Sequence, residues 1–159
     1  MSNIKSLDEI IALRKSFKRE KKKVVFTNGV FDIIHAGHVD YLIKSKAAGD
    51  VLIIGLNSDA SVRRIKGEKR PVVPEAQRAF VVSNLKPVDY VVIFQEDTPE
   101  NLIEKIIPDI LIKGADWDID NIVGKDIVIK NGGEVKTIEF VNDQSTSKII
   151  KSILEKYKI

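Results

Sequence analysis

The chain has 159 residues, with 26 Lys and Arg against 23 Asp and Glu, a formal net charge of +3, two histidines and no cysteine. This length, with 43% hydrophobic residues, predicts one compact domain over residues 1–159 rather than a disordered tail or a tandem array. The lack of cysteine excludes disulfides, thiolate metal sites and a cysteine nucleophile.

Neither charge nor hydropathy points to a nucleic-acid or membrane partner. The positive excess is small, and aromatic residues make up only 6% of the chain, without the basic and aromatic interleaving that stacks bases. The longest apolar run, Val51 to Leu56, is far shorter than the roughly 20 residues that span a bilayer. The polar start, Met1 to Glu9, is typical of neither a signal nor a transit peptide, so we expect a cytoplasmic protein.

The first predicted element is a helix over about residues 6–19. Ser6-Leu7-Asp8-Glu9 has the spacing of a capping box, and apolar residues follow at helical intervals. Strand-like runs and helical segments then alternate through a core over about residues 23–159. The predicted strands are Lys23 to Thr27, Asp50 to Asn57, Val88 to Phe94, Asp109 to Lys113 and Glu134 to Phe140.

Helix boundaries are also readable between these runs. A helix is predicted over Gly37 to Ala48, another opens at Pro74, and Thr98-Pro99 marks the start of a third. Asn131-Gly132-Gly133 is a stop signal, and Ser145 caps a last helix.

Strands rich in Val and Ile that alternate with helices predict an α/β fold, a Rossmann-like doubly wound sheet of five parallel strands with helices on both faces. In such folds ligands bind beyond the carboxyl ends of the strands, near the point where the strand order reverses. The loops of interest therefore follow Thr27, Asn57, Lys113 and Phe140.

The loop after the first strand holds both histidines of the chain, His35 and His38, at the start of a helix. Gly37 between them allows a ligand to approach the backbone, and a helix N-terminus offers free amides and partial positive charge to a phosphate. Neutral imidazoles there can donate hydrogen bonds that strengthen as charge accumulates in a transition state.

Two other interpretations of the histidines are a satisfied turn or part of a metal site. A metal site lacks ligands, because only Asp32 or Asp40 is available to complete a first shell. Neither Gly-x-Gly-x-x-Gly nor Gly-x4-Gly-Lys-Ser/Thr occurs, which disfavours a dehydrogenase or a P-loop kinase.

The segment Gly29 to His38 resembles the His-x-Gly-His nucleotidyltransferases of the cytidylyltransferase-like family, which share the run Gly-x-Phe-Asp-x-x-His-x-Gly-His. The resemblance covers residues 7–155. Further matching segments are Asn57-Ser58-Asp59, Lys66 to Pro71, Arg78, Lys113 to Trp117 and Ser145-Thr146-Ser147.

Other segments resemble the heptose 1-phosphate adenylyltransferases of the D-glycero-D-manno type more closely. These segments are Phe26 to Gly29, Asn57 to Arg63, Ile122 to Gly124 and Gly132-Gly133. Members of that family are free-standing or form the second half of a bifunctional kinase, and the short length favours the free-standing form.

The resemblance implies that a sugar-phosphate oxygen attacks the α-phosphorus of ATP, which expels pyrophosphate and leaves an ADP-heptose for lipopolysaccharide or other surface polysaccharide. It also implies Mg²⁺ bound with ATP and held mainly by phosphates, no dedicated protein metal site, no organic cofactor and a possible homodimer.

The predicted catalytic residues are His35, His38 and Lys66. The predicted nucleotide-binding residues are Asn28, Gly29, Val30, Phe31, Gly37, Gln144, Ser145 and Thr146. The predicted substrate-binding residues are Asp32, Asp59, Arg70, Arg78, Lys113 and Asp116.

Several of these residues also have structural interpretations. Lys66 lies in a Gly-containing loop that could close over a phosphate, or it is part of a solvated charge run. Ser145 and Thr146 could only cap a helix, and Asp59 with Arg78 could form a surface pair or hold the substrate region together. Trp117 walls a sugar or covers the core edge, and the second interpretation is favoured.

Two other functions remain open at this point. A CTP-dependent enzyme acting on glycerol 3-phosphate or a related polyol phosphate would keep the chemistry. Such enzymes carry Arg-Thr-x-Gly-Ile-Ser-Thr before the last helix, whereas this chain has Phe140-Val141-Asn142-Asp143-Gln144-Ser145-Thr146, and the missing arginine and glycine favour ATP. A non-catalytic nucleotide-sensing domain would keep only the phosphate-binding loop and helix N-terminus, without turnover.

Overall fold

The computed structural model describes residues 3–140 and 144–157, and it confirms the doubly wound α/β fold. One sheet of five strands has the order β3-β2-β1-β4-β5, and every neighbouring pair is parallel. The strands are β1 (Val24–Gly29), β2 (Val51–Asn57), β3 (Tyr90–Phe94), β4 (Ile110–Gly114) and β5 (Glu134–Ile138).

Helices connect the strands and cover both faces of the sheet. They are α1 (Leu7–Arg19), α2 (Ala36–Ala47), α3 (Asp59–Lys66), α4 (Glu75–Ser83), α5 (Glu100–Ile106), α6 (Lys125–Lys130) and α7 (Thr146–Tyr157), with a 3-10 turn at Ile119–Asn121. Over the two described ranges, the helices are too short or too polar to cross a membrane.

Helix α1 begins where the sequence predicts. The Ser6 side chain accepts a hydrogen bond from the Glu9 amide, and the Glu9 side chain accepts one from the Ser6 amide, which completes the capping box. The helix turns Ile10 and Phe17 into the core, and it is therefore packed on the sheet rather than separate from it.

Alternation along the strands divides the apolar core into two layers. Phe26, Ile53 and Leu111 face one side, where they pack with residues of α1, α5 and α6. Their neighbours in sequence, such as Val25 and Ile54, face the other side, where α2 and α4 pack. Because both faces of the sheet are buried, the central strands are apolar over most of their length, and polar residues such as Asn28 and Lys113 lie toward their carboxyl ends.

The predicted boundaries differ from the observed ones in a few informative places. β1 continues past Thr27 to Gly29, because the backbones of Asn28 and Gly29 stay paired with β2. The helix α3 was not predicted, although Ser58 is a good N-cap and its side chain accepts from the Ser61 amide. Lys66 is the last residue of α3, which corrects the prediction that it lies in the loop itself.

The strand order reverses between β1 and β4, although all five strands run in the same direction. The chain winds from β1 through β2 to β3 on one side, then crosses back to form β4 and β5 on the other. The loops that leave the carboxyl ends of β1 and β4 therefore diverge and open a crevice between them.

The burial of Leu111 predicts a large effect of its truncation on stability. Leu111 is fully buried in β4, in the layer beneath α1, α5 and α6. We expect Leu111→Ala to lower the free energy of unfolding by about 2–5 kcal/mol, measured by urea denaturation, because it removes apolar contact and leaves a cavity. Ile129→Ala, at a position about half exposed, is the control and should change it by about 0.5 kcal/mol or less. Equal losses in the two variants would contradict this assignment of the core.

Candidate functional site

A cavity of about 440 Å³ lies at the crevice between the ends of β1 and β4. The end of β5 and the start of α7 close its remaining side. Sixteen residues line it: Asn28, Gly29, Val30, Phe31, His35, His38, Tyr41, Lys113, Gly114, Asp116, Trp117, Phe140, Gln144, Ser145, Thr146 and Lys148. The crevice therefore gathers chemistry-bearing residues from both ends of the sequence.

The two histidines form a stacked pair in this cavity. Their ring centroids are 3.9 Å apart, and the rings are inclined by 27°. His35 is the N-cap of α2 and His38 lies in its first turn, where helical amides have no partner within the helix. The pair and the helix N-terminus thus present several hydrogen-bond donors to one place.

Two glycines leave room for the rings around this pair. A Cβ on Gly37 would lie 3.1 Å from the His35 ring, and a Cβ on Gly29 would lie 3.0 Å from the Phe31 ring. The Phe31 ring in turn has its centroid 5.3 Å from that of His38. Gly37, a predicted nucleotide-binding residue, does not line the cavity. Its lack of a side chain leaves the space next to it that the His35 ring occupies.

Burial keeps the histidines neutral. It lowers the pKa of His38 to about 4, with a smaller contribution from His35, and it also lowers the pKa of His35. The Nδ1 atoms of both rings and Oδ1 of Asn28 are buried, and none has a hydrogen-bond partner within residues 3–140 and 144–157. Such atoms are normally paired, so their concentration here favours a ligand-binding role over a satisfied turn.

A lysine, a carboxylate and a tryptophan form the β4 side of the cavity. Lys113 is over nine-tenths buried, and its Nζ lies 5.2 Å from the centroid of the Trp117 ring. Burial lowers the pKa of Lys113 to about 8, against the opposing effect of Asp116. Trp117 is half exposed and lines the cavity, which favours the interpretation that it walls a ligand over the one that it covers the core edge.

The start of α7 forms the third wall. Ser145 accepts a hydrogen bond from the Lys148 amide through Oγ, as predicted for a cap, and Ser145 also lines the cavity. Thr146 is buried, with Oγ1 3.5 Å from the Ile33 carbonyl oxygen of the histidine loop. Of the segment Phe140 to Thr146, which departs from the Arg-Thr-x-Gly-Ile-Ser-Thr pattern, residues 141–143 lie outside the described residues.

Asp32 belongs to the histidine loop but does not line the cavity. Its carboxylate has no exposed surface, binds Arg70 Nε at 2.6 Å and accepts from the amides of Val72 and Val73. Burial acts to raise the pKa of Asp32, but these hydrogen bonds outweigh it and hold the pKa below its usual value. The substrate contact of Asp32 stays a prediction, and the enclosure of its carboxylate by protein groups favours a structural role.

Arg78 is likewise enclosed. Its side chain has no exposed surface, and Nη2 binds Asp59 Oδ1 at 2.7 Å. The pair is therefore no surface pair, and Arg78 has no surface to offer a substrate. Asp59 and Arg70, the partners of the two buried groups, are partly exposed and lie outside the cavity lining.

The other predicted site residues separate into two groups. Eleven of them line the cavity: Asn28, Gly29, Val30, Phe31, His35, His38, Lys113, Asp116, Gln144, Ser145 and Thr146. Lys66 does not, because it is exposed at the end of α3, and its catalytic role stays a prediction. Within the described ranges, no three His, Asp or Glu side chains cluster as metal ligands.

Sequence reasoning missed several cavity residues. Tyr41 lies one helical turn after His38 and binds Thr27 through its hydroxyl at 2.7 Å, with its ring stacked on Phe140 at 5.4 Å. Its spacing from His38 was a usable signal. The position of Phe140 depends on how β5 ends beside α2, which no local pattern encodes.

Comparison with known proteins identifies the family of this chain. The family model described as cytidylyltransferase-like matches residues 26–152, so the chain belongs to that family. This confirms the family resemblance carried by Gly29 to His38.

Curated relatives named bifunctional protein HldE match nearly the whole chain. The protein from Geobacter metallireducens is 53% identical over 156 residues, which cover 98% of this chain and 32% of the relative. The protein from Campylobacter concisus is 55% identical over 153 residues, covering 96% of this chain and 30% of the relative. The chain thus spans about a third of the length of the curated relatives it matches.

Solved structures share the fold. A lipopolysaccharide core biosynthesis protein from Thermoplasma volcanium is 32% identical with a TM-score of 0.63, covering 77% of this chain and 99% of that one. A pantoate-beta-alanine ligase from Francisella tularensis has a TM-score of 0.59 at 15% identity, covering 98% of this chain and 78% of that one, a likeness of fold alone.

The low pKa of His38 predicts a pH-dependent stability. An unfolded chain protonates His38 near the ordinary value of about 6.5, whereas the folded chain does so only near 4. Between these values the unfolded state binds more protons, so stability falls as the pH is lowered through this window.

We expect His38→Gln to reduce this loss, measured as the difference in Tm between pH 7 and pH 4.5 by circular dichroism. Carboxylates such as Asp32 titrate in both proteins and cancel in the comparison. If the Tm of the two proteins fell equally between pH 7 and pH 4.5, the burial of a neutral His38 would be contradicted.

Proposed function

We propose that this chain is an ATP-dependent adenylyltransferase that converts a heptose 1-phosphate and ATP to ADP-heptose and pyrophosphate, for lipopolysaccharide or other surface polysaccharide. The observation that carries the proposal is the stacked pair of partly buried, neutral histidines at the N-terminus of α2, within a cavity between the carboxyl ends of β1 and β4. Relatives named HldE, and a solved structure named as a lipopolysaccharide core biosynthesis protein, support the substrate class.

The reaction forms one phosphorus–oxygen bond and breaks another. An oxygen of the sugar phosphate attacks the α-phosphorus of ATP, and the bond from that phosphorus to the bridging oxygen of the β-phosphate breaks, so that pyrophosphate leaves. Little covalent chemistry is required of the protein, and catalysis depends on positioning and charge stabilisation.

His35 and His38 are the groups best placed to stabilise the charge. As neutral rings each can donate one hydrogen bond, and the amides of the first turn of α2 add further donors near the same point. Donors fixed before the reaction need no reorganisation as charge develops on the phosphate oxygens.

The opposite walls suit the rest of the substrates. Ser145 and the start of α7 offer hydroxyl and amide donors to a phosphate, while Asp116 can accept hydrogen bonds from sugar hydroxyls or a base amino group. Mg²⁺ that arrives with ATP would offset the triphosphate charge, and we propose that phosphate oxygens supply most of its ligands.

Pyrophosphate release with Mg²⁺ tests this function directly. ATP and CTP are each combined with heptose 1-phosphate anomers and with glycerol 3-phosphate. We expect release only with ATP and a heptose 1-phosphate, because the family resemblance and the named relatives favour that pair. Release with CTP and glycerol 3-phosphate would overturn the substrate assignment, and no release with any pair would favour a nucleotide sensor.

Truncation of His38 tests the assigned role of the pair. We expect His38→Ala to lower kcat by about 10²–10³-fold with a much smaller change in KM for ATP, because its donor acts mainly on transition-state charge. Ile43→Ala, on the exposed side of the same helix, is the matched control and should keep wild-type kinetics. A rise in KM for ATP with kcat unchanged would instead indicate that His38 binds the ground state and the transition state equally.

A further inference from the structure

The backbone of Phe31 is strained. Its φ is +46°, in the left-handed region that a bulky side chain rarely adopts. The ring that this backbone carries is buried and packs against His38 with a centroid distance of 5.3 Å. Such a conformation persists only where surrounding contacts determine it.

Both neighbours of Phe31 are held by buried charged groups. The carbonyl oxygen of Val30 accepts a hydrogen bond from Arg78 Nη1 at 2.6 Å. On the other side, the Asp32 carboxylate accepts from Arg70 and from the amides of Val72 and Val73. The strained residue is thus fixed at the peptide before it and at the side chain after it.

Arg78 connects this loop to three other segments. Nη1 also donates to the carbonyl of Asn57 at 2.9 Å, Nε donates to that of Val73 at 2.8 Å, and Nη2 binds Asp59 at 2.7 Å. These contacts tie the histidine loop to the end of β2, to the start of α3 and to the segment before α4. A guanidinium suits this task because its donors have a fixed planar geometry.

We propose that Arg78 is a positioning residue for the histidine pair: it holds the Val30 carbonyl, so that Phe31 keeps its left-handed backbone and its ring stays packed against His38. Arg78 itself touches no substrate, since its side chain has no exposed surface. For its effect on turnover the inference rests on the proposed function, but its effect on His38 does not.

The test uses Arg78→Lys and Arg78→Met in the full chain, with the pKa of each histidine measured by NMR titration of the ring protons. If Phe31 moves away, water reaches His38, and its pKa should rise from about 4 toward the ordinary value of about 6.5. His35, which also acts on His38, is unchanged in both variants.

Arg14→Lys and Arg14→Met are the matched controls. Arg14 also binds backbone carbonyls and a carboxylate, those of Ile106, Ile107 and Asp109, but on the opposite side of the sheet. These variants lose comparable bonds, so Tm should fall in both pairs while the pKa of His38 changes only in the Arg78 variants.

A folded Arg78 variant that keeps the His38 pKa near 4 would overturn the proposal. If neither Arg78 variant folds, Asp59→Asn provides the same test, because it weakens one partner of the guanidinium at a partly exposed position. It should raise the His38 pKa by a smaller amount in the same direction, and an unchanged value would again reject the proposal.

Kinetics distinguish this inference from the proposed function. If the chain turns over ATP and a heptose 1-phosphate, Arg78→Lys should lower kcat more than it raises KM for ATP. If the wild-type chain shows no turnover, the proposed function fails, but the His38 pKa still decides whether Arg78 positions the pair.

Discussion

The enclosure of one neutral histidine ring depends on three residues of the loop that contains it. His38 packs against the Phe31 ring and against the His35 ring. Phe31 reaches it only through a strained backbone, and Gly37 leaves the space that His35 requires. The site is therefore maintained by packing and by buried charge, and its hydrogen-bond donors are fixed before any ligand arrives.

Periodicity and turn chemistry predicted most of the fold. Apolar runs defined all five strands, because strands buried on both faces have few polar interruptions. The capping box at Ser6 and the cap at Ser145 marked helix starts through local hydrogen bonds. α3 was missed because its apolar residues are few and its sequence is dominated by charge, although Ser58 signals its start.

The candidate site was predictable where it is local in sequence and unpredictable where it depends on folding. Gly29 to His38 is contiguous, so its residue types and spacing indicated phosphate chemistry directly. Asp32 and Arg78 were assigned to substrate through the family resemblance, because sequence does not show which groups a charged side chain contacts. Only the structure shows that both side chains are enclosed and bonded to protein groups. Phe140 reaches the cavity through tertiary packing, which periodicity does not encode.

The position of Trp117 has a practical consequence. It is the only tryptophan in the chain, it is half exposed, and it lines the cavity next to the Lys113 ammonium. Indole emission depends on the polarity and charge around the ring, and here a single fluorophore samples the cavity without background from any other indole. The protein thus carries an intrinsic optical reporter of ligand occupancy, and binding can be followed in the unlabelled chain without coupling to turnover.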